Sequence, residues 1–382
     1  MKRQKICIIG GSLTGLVTAI SLSKLNCTID LITGDLDQNL KTNRTIAISE
    51  NNLDFLNKLN ISKLLKREMW NCSIIKLYTE IKNEKFSEIF ELNNENKKEK
   101  ILYMVENSKI MKLMLSKIKQ IKSISIKNQE KIYSISTSGL LKSVKFNNNV
   151  FKYNLVIICT GYKSSLIKSI FNDKMMEKSY KESAVTAILN HSSFNNNIAR
   201  QIFLKNEIFA LLPISNTKTS IVWSVKHDML KKNNLFFKNK IILYTKNYLK
   251  NVKFTTNIEY KDLNFLIRNK YYLDRILLFG DALHMVHPFA GQGFNMTLRD
   301  LASLEKILTQ KINLGLDIGS SDILSEFSSE IKPRNFAFSI GIDFLKNSFS
   351  YKKLRNDILK ILNKSNIAKD ILFNIANKGF RF

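Results

Sequence analysis

Lys5-Ile6-Cys7-Ile8-Ile9-Gly10-Gly11-Ser12-Leu13-Thr14-Gly15-Leu16-Val17 is the stretch whose reading decides the fold. Lys5–Ile9 is an apolar run of strand length, and Thr14–Leu25 carries apolar residues at helical spacing. Cys27–Ile32 reads as a second strand, so the chain opens with a strand–helix–strand unit. The turn between the first two elements has the form G-x-G-x-x-G, with Ser12 in place of the second glycine. Gly10 permits the tight turn, the backbone at Gly11 and Ser12 can approach a pyrophosphate, and Gly15 lets helix and strand pack closely. The positive end of the helix then faces the phosphates. An acidic residue ordinarily ends the second strand and holds a ribose. Thr33 stands there, which leaves Asp35, two residues on, as the candidate.

A second block sharpens this reading. Arg275-Ile276-Leu277-Leu278-Phe279-Gly280-Asp281 is a buried strand ending in Gly-Asp, followed by Ala282-Leu283-His284-Met285-Val286-His287-Pro288-Phe289-Ala290-Gly291-Gln292-Gly293-Phe294-Asn295. A carboxylate at a strand's carboxyl end can accept hydrogen bonds from a ribityl chain. Gly291 and Gly293 let the main chain run close to a flat ring. A helix starting near Asn295 turns its positive end toward that ring, which suits the anionic reduced form of a flavin.

The block resembles the G-D-A-x-H-x-x-x-P-x-x-G-Q-G-x-N motif of the FAD-dependent aromatic hydroxylases, the para-hydroxybenzoate hydroxylase superfamily. Further segments are similar to the ubiquinone-biosynthesis hydroxylases of the UbiH/UbiF type: Arg44-Thr45-Ile46-Ala47-Ile48-Ser49, Tyr103-Met104-Val105-Glu106-Asn107, Phe203 to Trp223, Leu298-Arg299-Asp300 and Leu354-Arg355-Asn356. The resemblance spans nearly the whole chain. It implies FAD held by Gly10, Gly11, Ser12, Gly15, Asp35, Arg44, Gly161, Gly280, Asp281, Pro288, Gly291, Gly293, Phe294 and Asn295. Pro288, Gly291, Gln292 and Gly293 would lie nearest the flavin, and no side chain is singled out as the catalyst. Three positions depart from the pattern. Ser12 replaces a glycine, Thr160 replaces the Asp of the middle motif D-G-x-x-S, here Thr160-Gly161-Tyr162-Lys163-Ser164, and Glu207-Ile208 replaces a Gly-Pro pair.

The chemistry so implied is hydroxylation of an electron-rich phenol through a flavin C4a-hydroperoxide, with O2 as co-substrate. One complete dinucleotide loop is visible, so NAD(P)H, the expected reductant, would bind transiently without a domain of its own. A ferredoxin-type donor is the alternative that Thr160 leaves open. The implied substrate is a polyprenylated phenol of ubiquinone biosynthesis. That places the protein in the cytoplasm, peripheral to the inner membrane or within a quinone-biosynthesis complex. The competing readings are a non-catalytic flavoprotein subunit of such a complex, or a halogenase or prenyl reductase on the same fold. The halogenase W-x-W-x-I-P signature is absent, the only tryptophans being Trp70 and Trp223.

The expected architecture is α/β with α+β elements, a Rossmann-like FAD-binding domain carrying an inserted β-sheet substrate domain and a C-terminal helical segment. The FAD-binding domain takes 1–72, 101–180 and 265–345, the substrate domain 73–100 and 181–264, and a closing helix 346–382. Within these, 52–67 and 234–250 read as helices, and 184–190, 201–212 and 219–226 as strands. Along the closing helix an apolar stripe (Leu354, Ile358, Ile361, Leu362, Ala368, Ile371, Leu372, Ile375) is bordered by lysines, a pattern that suits a membrane, a partner or the protein's own core.

Composition is that of a folded chain: 44% hydrophobic against 24% charged residues. The formal charge of +28 attracts anionic surfaces, but no nucleic-acid-binding module accompanies it and no nucleic-acid partner is expected. Cys7, Cys27, Cys72 and Cys159 form no C-x-x-C pair and the four histidines no ligand set, so no metal site is expected. The first residues have the basic-then-apolar layout of a signal peptide, yet Gly10, Gly11 and Gly15 suit a strand–turn–helix better. His284 and His287 read as packing groups beside the glycine loop in preference to acid–base groups.

Overall fold

The computed structural model describes residues 3–61, 67–81, 85–94, 100–128, 131–147, 149–172, 175–288, 291–348 and 351–378. Phe289 and Ala290 of the glycine-rich block, and the middle of the 91–100 run, lie outside them.

Gln4–Ile9 is the central strand of a six-stranded sheet. It pairs in parallel with Cys27–Ile32 on one side and Leu155–Ile158 on the other, and Ile276–Leu278 lies parallel beyond the latter. Leu155–Ile158 and Ile276–Leu278 are buried throughout, because helices or other layers cover both faces of such a sheet. Leu13–Leu22 packs on this sheet with every residue buried, which accounts for its nearly unbroken apolar sequence. The expected opening unit is therefore present in its expected place.

The second body is a nine-stranded sheet. Its centre is the antiparallel pairing of Met175–Asn190 with Lys218–Lys226 and with Glu259–Arg268. One face is sealed by the Asn234–Thr245 helix, whose Phe237 and Tyr244 meet Trp223 edge-on at 5.5 Å each. Trp223 is core, as its position between apolar strands suggests.

Several elements differ from the sequence reading. The stretch 201–212 is two strands, Ile198–Phe203 and Ile208–Pro213, because the chain reverses at polar Lys205-Asn206. Met175–Asn190 and Glu259–Arg268 run straight across the boundaries placed at 180/181 and 264/265, since their mutual pairing extends from Met175↔Arg268 to Thr186↔Glu259. His284–Met285 forms the outer edge of the large sheet, so the glycine-rich block belongs to both bodies. Ser321–Ser348 is a long helix that accommodates Pro333, an element the sequence reading left unassigned.

The closing segment is two helices, Lys352–Lys364 and Asn366–Lys378, broken at Ser365, whose backbone is extended. Leu359, Leu362, Leu372 and Phe373 pack with Phe90, Leu92 and Met104, so the pair is docked on its own protein. The opposite face keeps Leu354, Ile361, Ile367 and Ile371 exposed. The end of the last helix is pinned: Ser49 Oγ donates to the Asn377 carbonyl at 3.1 Å, and the Asn51 N–H to Asn377 Oδ1 at 2.8 Å.

These two faces should separate in stability measurements. Phe373→Ala removes a buried ring and is expected to lower unfolding free energy by about 3–5 kcal/mol. Ile371→Ser, on the outer face, should change it by less than about 0.5 kcal/mol. Urea denaturation checks both, and equal losses would contradict the docked orientation.

Candidate functional site

Three loops leave the six-stranded sheet at the carboxyl ends of neighbouring parallel strands. Gly10–Ser12 follows Ile9, Thr160–Gly161 follows the Leu155–Ile158 strand, and Gly280–Asp281 follows Ile276–Leu278. In open α/β sheets this edge is where ligands bind. The loops are fitted to one another by missing side chains. A Cβ on Gly10, whose φ is +130°, would lie 2.9 Å from the Cys159 carbonyl carbon and oxygen. A Cβ on Gly280, at φ +63°, would lie 2.6 Å from Thr14 Cγ2, in the first turn of the Leu13–Leu22 helix. Two motifs far apart in sequence thus meet at one point.

That helix begins without a cap. Ser12 makes no side-chain capping bond, and no acidic residue stands in the first turn. The first N–H groups of a helix have no partner inside it and carry part of the positive dipole end, so an uncapped start next to open backbone is an anion slot. The Gly293–Asn313 helix starts the same way, with neither a side-chain cap nor an acid in its first turn.

The second helix start is locked to the first body through Asn295. Its amide donates to the Ala47 and Gly291 carbonyls at 2.9 and 3.2 Å, and accepts from the Ser49 N–H at 3.1 Å and Asn52 Nδ2 at 2.9 Å. Both amide hydrogens and both lone-pair positions are used, so this side chain has no bond left for a ligand. Gly291, at φ +64°, seats against Ala47: a Cβ there would lie 2.9 Å from the Ala47 methyl. The Arg44–Ser49 segment and the glycine-rich block, linked only by resemblance in the sequence, are in contact.

At the mouth of the edge, Asp281 is exposed and no hydrogen bond to it is formed among the described residues. Arg44, whose Nε bonds Thr42 Oγ1 at 3.1 Å, and Asp281 both lie within Coulombic reach of Lys261. Lys261 had no sequence signal; only the pairing Ala184↔Lys261 brings it here. Asp35 is partly spent elsewhere, since its Oδ1 caps the Leu36–Leu40 helix by accepting from the N–H groups of Asp37 and Gln38. Thr33, at the end of the second strand, bonds Asn128 at 2.9 Å. Thr160 Oγ1 is buried beside the Gly10 turn, with no hydrogen-bond partner among the described residues. Gly161 and Gly293 have open space where a Cβ would stand.

These features fit a dinucleotide with a flat ring. The anion slot at Gly10–Ser12 suits the pyrophosphate, Asp281 is an available acceptor for hydroxyls, and the open backbone at Gly291–Gly293 suits a ring edge.

Next to this edge the large sheet carries a buried ionic cluster. His287 Nε2 lies 3.5 Å from Glu182 Oε2 and 3.4 Å from Ser224 Oγ, and Lys346 Nζ holds Glu182 Oε1 at 2.9 Å. Glu182 and Lys346 form part of the wall of a small cavity of about 30 Å³, with Phe203, Leu204, Ile208, Glu207 and Arg355. Glu207 accepts from the Trp223 indole N–H at 2.9 Å, which gives the departure from Gly-Pro a structural role. Burial pulls the Arg355 guanidinium down to about 10, and it stacks over the Phe203 ring at 4.8 Å. His284 is different in kind: its Nε2 meets Asp300 at 2.8 Å, and Asn335 holds the same carboxylate oxygen, all three buried.

Comparison with known proteins places these features in context. The sequence profile of the FAD binding domain family matches residues 3–336. The mitochondrial ubiquinone biosynthesis monooxygenase COQ6 of Dictyostelium discoideum is 26% identical, over 97% of this chain and 90% of its own length. The ubiquinone hydroxylase UbiL of Rhodospirillum rubrum is 26% identical over 68% of this chain and 60% of its own. Among solved structures, p-nitrophenol 4-monooxygenase PnpA from Pseudomonas putida superposes with TM-score 0.82 at 12% identity, covering 100% of this chain and 99% of that one. PqsL of Pseudomonas aeruginosa, a probable FAD-dependent monooxygenase, gives 0.80 at 14%, covering 94% and 99%. At such identities these likenesses establish the fold.

The assignment of Asp281 has a direct check. Asp281→Ala removes a charged acceptor, and a hydrogen bond to a charged group contributes about 1.5–3 kcal/mol. FAD affinity is expected to fall roughly 10- to 100-fold with the circular dichroism spectrum unchanged. Fluorescence titration of the apoprotein measures it, and undiminished affinity would contradict the assignment.

Proposed function

The chain belongs to the FAD binding domain family, and from that premise we propose that it hydroxylates the ring of a polyprenylated phenol in ubiquinone biosynthesis. It is an enzyme, an FAD-dependent monooxygenase. The observation that carries the proposal is the glycine-fitted edge that suits FAD, bordered by the large sheet to which His284–Met285 of the glycine-rich block pairs. The COQ6 relative, matched along almost its whole length, supports the pathway.

Bound and reduced, FAD would supply the activation of O2, one atom of which goes to the ring. The protein's share is to bind, orient and exclude water. The backbone of Gly10, Gly11 and Ser12, with the uncapped helix start, would hold the pyrophosphate. Asp281 would take the ribityl hydroxyls, and Arg44 would offset the cofactor's negative charge. Pro288 and Gly291–Gly293 would line the ring edge, and Asn295 would keep that loop in place through its four bonds. Asp35 retains a role toward the ribose only through the carboxylate oxygen that does not cap the Leu36–Leu40 helix. The large sheet would close the ring edge from solvent, which a reactive oxygen donor requires.

The six-stranded sheet is the one parallel sheet of this kind among the described residues, which supports transient binding of NAD(P)H without a second nucleotide domain. The unpartnered Thr160 hydroxyl, where relatives of this type carry Asp, offers less charge to position such a reductant. No described helix is long and apolar enough to cross a membrane. The outer face of the closing helices instead supports peripheral contact with an anionic membrane: Leu354, Ile361, Ile367 and Ile371 are exposed beside exposed Lys353, Lys360 and Lys364.

Complementation tests the proposed reaction. Expressed in strains that each lack one ring hydroxylase of ubiquinone biosynthesis, the protein is expected to restore quinone in at least one, read by mass spectrometry. Failure in every strain, with FAD-loaded protein present, would contradict it. For the membrane contact, each lysine near an anionic surface contributes about 1 kcal/mol. Lys360→Glu with Lys364→Glu should therefore weaken sedimentation with phosphatidylglycerol vesicles by more than tenfold, while leaving FAD bound.

A further inference from the structure

The Glu50–Lys58, Gly293–Asn313 and Ser321–Ser348 helices, with Lys378 at the end of the last helix, enclose a cavity of about 200 Å³. Its wall has an apolar part, Phe55, Ile331 and Phe338, and a cationic part, Arg299, Arg334 and Lys378. None of its lining residues belongs to the set assigned to the cofactor, and none lines the small cavity beside Glu182. Asn52 stands in the same wall, and its amide nitrogen donates to Ser49 Oγ at 3.0 Å and to Asn295 Oδ1 at 2.9 Å. The cavity thus adjoins the polar network that holds the glycine-rich loop.

Arg299 is the unusual member of this wall. Its Nη1 is buried with no hydrogen-bond partner among the described residues. The guanidinium carbon stands 4.8 Å from the centre of the Phe338 ring, so one face of the planar group is covered. Asp300, the next residue, attracts it, but Asp300 Oδ2 already accepts from Asn335 at 2.9 Å and lies 2.8 Å from His284 Nε2. Burial pulls the guanidinium down to about 10, so it stays charged at neutral pH. A cation taken out of water without hydrogen bonds is costly, and an anion that supplies them offsets the cost. The other two cations differ. Arg334 Nη1 donates to Glu330 Oε1 at 3.1 Å, an oxygen that also takes the Ser303 hydroxyl, and Lys378 is exposed at the rim. Against the three cations stand Asp300 in the wall and Glu330 beside it, which leaves one positive charge unbalanced.

We propose that this cavity binds a small single-ring carboxylate, held through its charge by Arg299. A guanidinium meets a carboxylate with parallel N–H donors, which the open Nη1 can begin. One unbalanced charge matches a monoanion better than a phosphate dianion. Size limits the rest of the ligand: a cavity of about 150 Å³ takes a benzene-sized molecule, so 200 Å³ admits one ring with its carboxylate and is too small for a nucleotide. Phe55, Ile331 and Phe338 give that ring an apolar surface. The site is separate from the cofactor edge and does not depend on the ring-hydroxylation reading.

The test is calorimetric titration of FAD-loaded protein with benzoate, the flavin absorption spectrum being followed in parallel. Benzoate is expected to bind without changing that spectrum, because the cavity is not at the ring edge. Arg299→Gln should weaken binding roughly 10- to 100-fold, the effect of losing a charge-assisted hydrogen bond. Arg299→Lys keeps the charge without the fork and should retain part of the affinity. Ala302→Leu, which fills the cavity and removes no charge, should weaken binding as well, and it keeps the test decisive if Arg299→Gln does not fold. Benzyl alcohol has the ring without the charge and inorganic phosphate the charge without the ring, so each should bind about tenfold more weakly than benzoate, or worse. The proposal is overturned by unmodified protein that does not bind benzoate at millimolar concentration, or by benzoate that binds folded Arg299→Gln and Ala302→Leu undiminished. Phosphate that binds as tightly as benzoate, or benzoate that shifts the flavin spectrum as it binds, overturns it too.

Discussion

The four hydrogen bonds of the Asn295 side chain hold together everything on which the site depends. Its amide joins the Gly291 turn, the Thr45–Ser49 strand and the Glu50–Lys58 helix at a point with no solvent access. Ser49 and Asn51 continue the link to Asn377, which ties in the last helix. Inside a protein each such bond strengthens its neighbours, and breaking one leaves a buried group without a partner. The glycine-rich loop is therefore held from beneath by a saturated network, while its outer surface stays open at Gly293. The same network places the C-terminal helices next to the cofactor loop, although their sequence suggests a separate appendage.

A second constraint is charge. The chain carries +28, and several of its acids hold buried partners in place. Asp300 anchors His284 and Asn335, Glu207 anchors the Trp223 indole, and Glu182 orients His287. Asp281 is exposed at the sheet edge, within Coulombic reach of Lys261, and free of described hydrogen bonds. It stands at the carboxyl end of a strand, in the loop whose Gly280 meets Thr14 of the uncapped helix start. That position suits the hydroxyls of a bound dinucleotide.

Much of the fold was legible because local signals agreed. Apolar strand, glycine turn and apolar helix followed one another over Lys5–Leu25, and the turn had to be tight because Gly15 sits where any Cβ would strike the Gly10 carbonyl. With only 13 glycines in the chain, those at Gly10, Gly280 and Gly291 marked positive-φ turns of the site itself. Local signals failed where long-range pairing decided. The bulge at Ser179–Glu182 and the meeting of Glu182 with His287 depend on sheet register, which periodicity does not contain. Lys261 reaches the cofactor edge by the same route. Asp35 is ambiguous for a local reason: an acid just before a short helix caps it through one oxygen, and the sequence motif does not distinguish that use from ribose binding. The closing helices carried two apolar faces, one for the core and one for the surface, so a single stripe could not say which face was buried.

On the proposed function, one atom of O2 enters the ring of a prenylated phenol at the edge where the two sheets meet. This step is tested most directly by supplying FAD-loaded protein, a reductant and a polyprenylated phenol under 18O2, then weighing the product. The expected result is a hydroxylated ring carrying one 18O atom. Reductant oxidised and O2 consumed, with the ring unlabelled across a set of prenylated phenols, would contradict it.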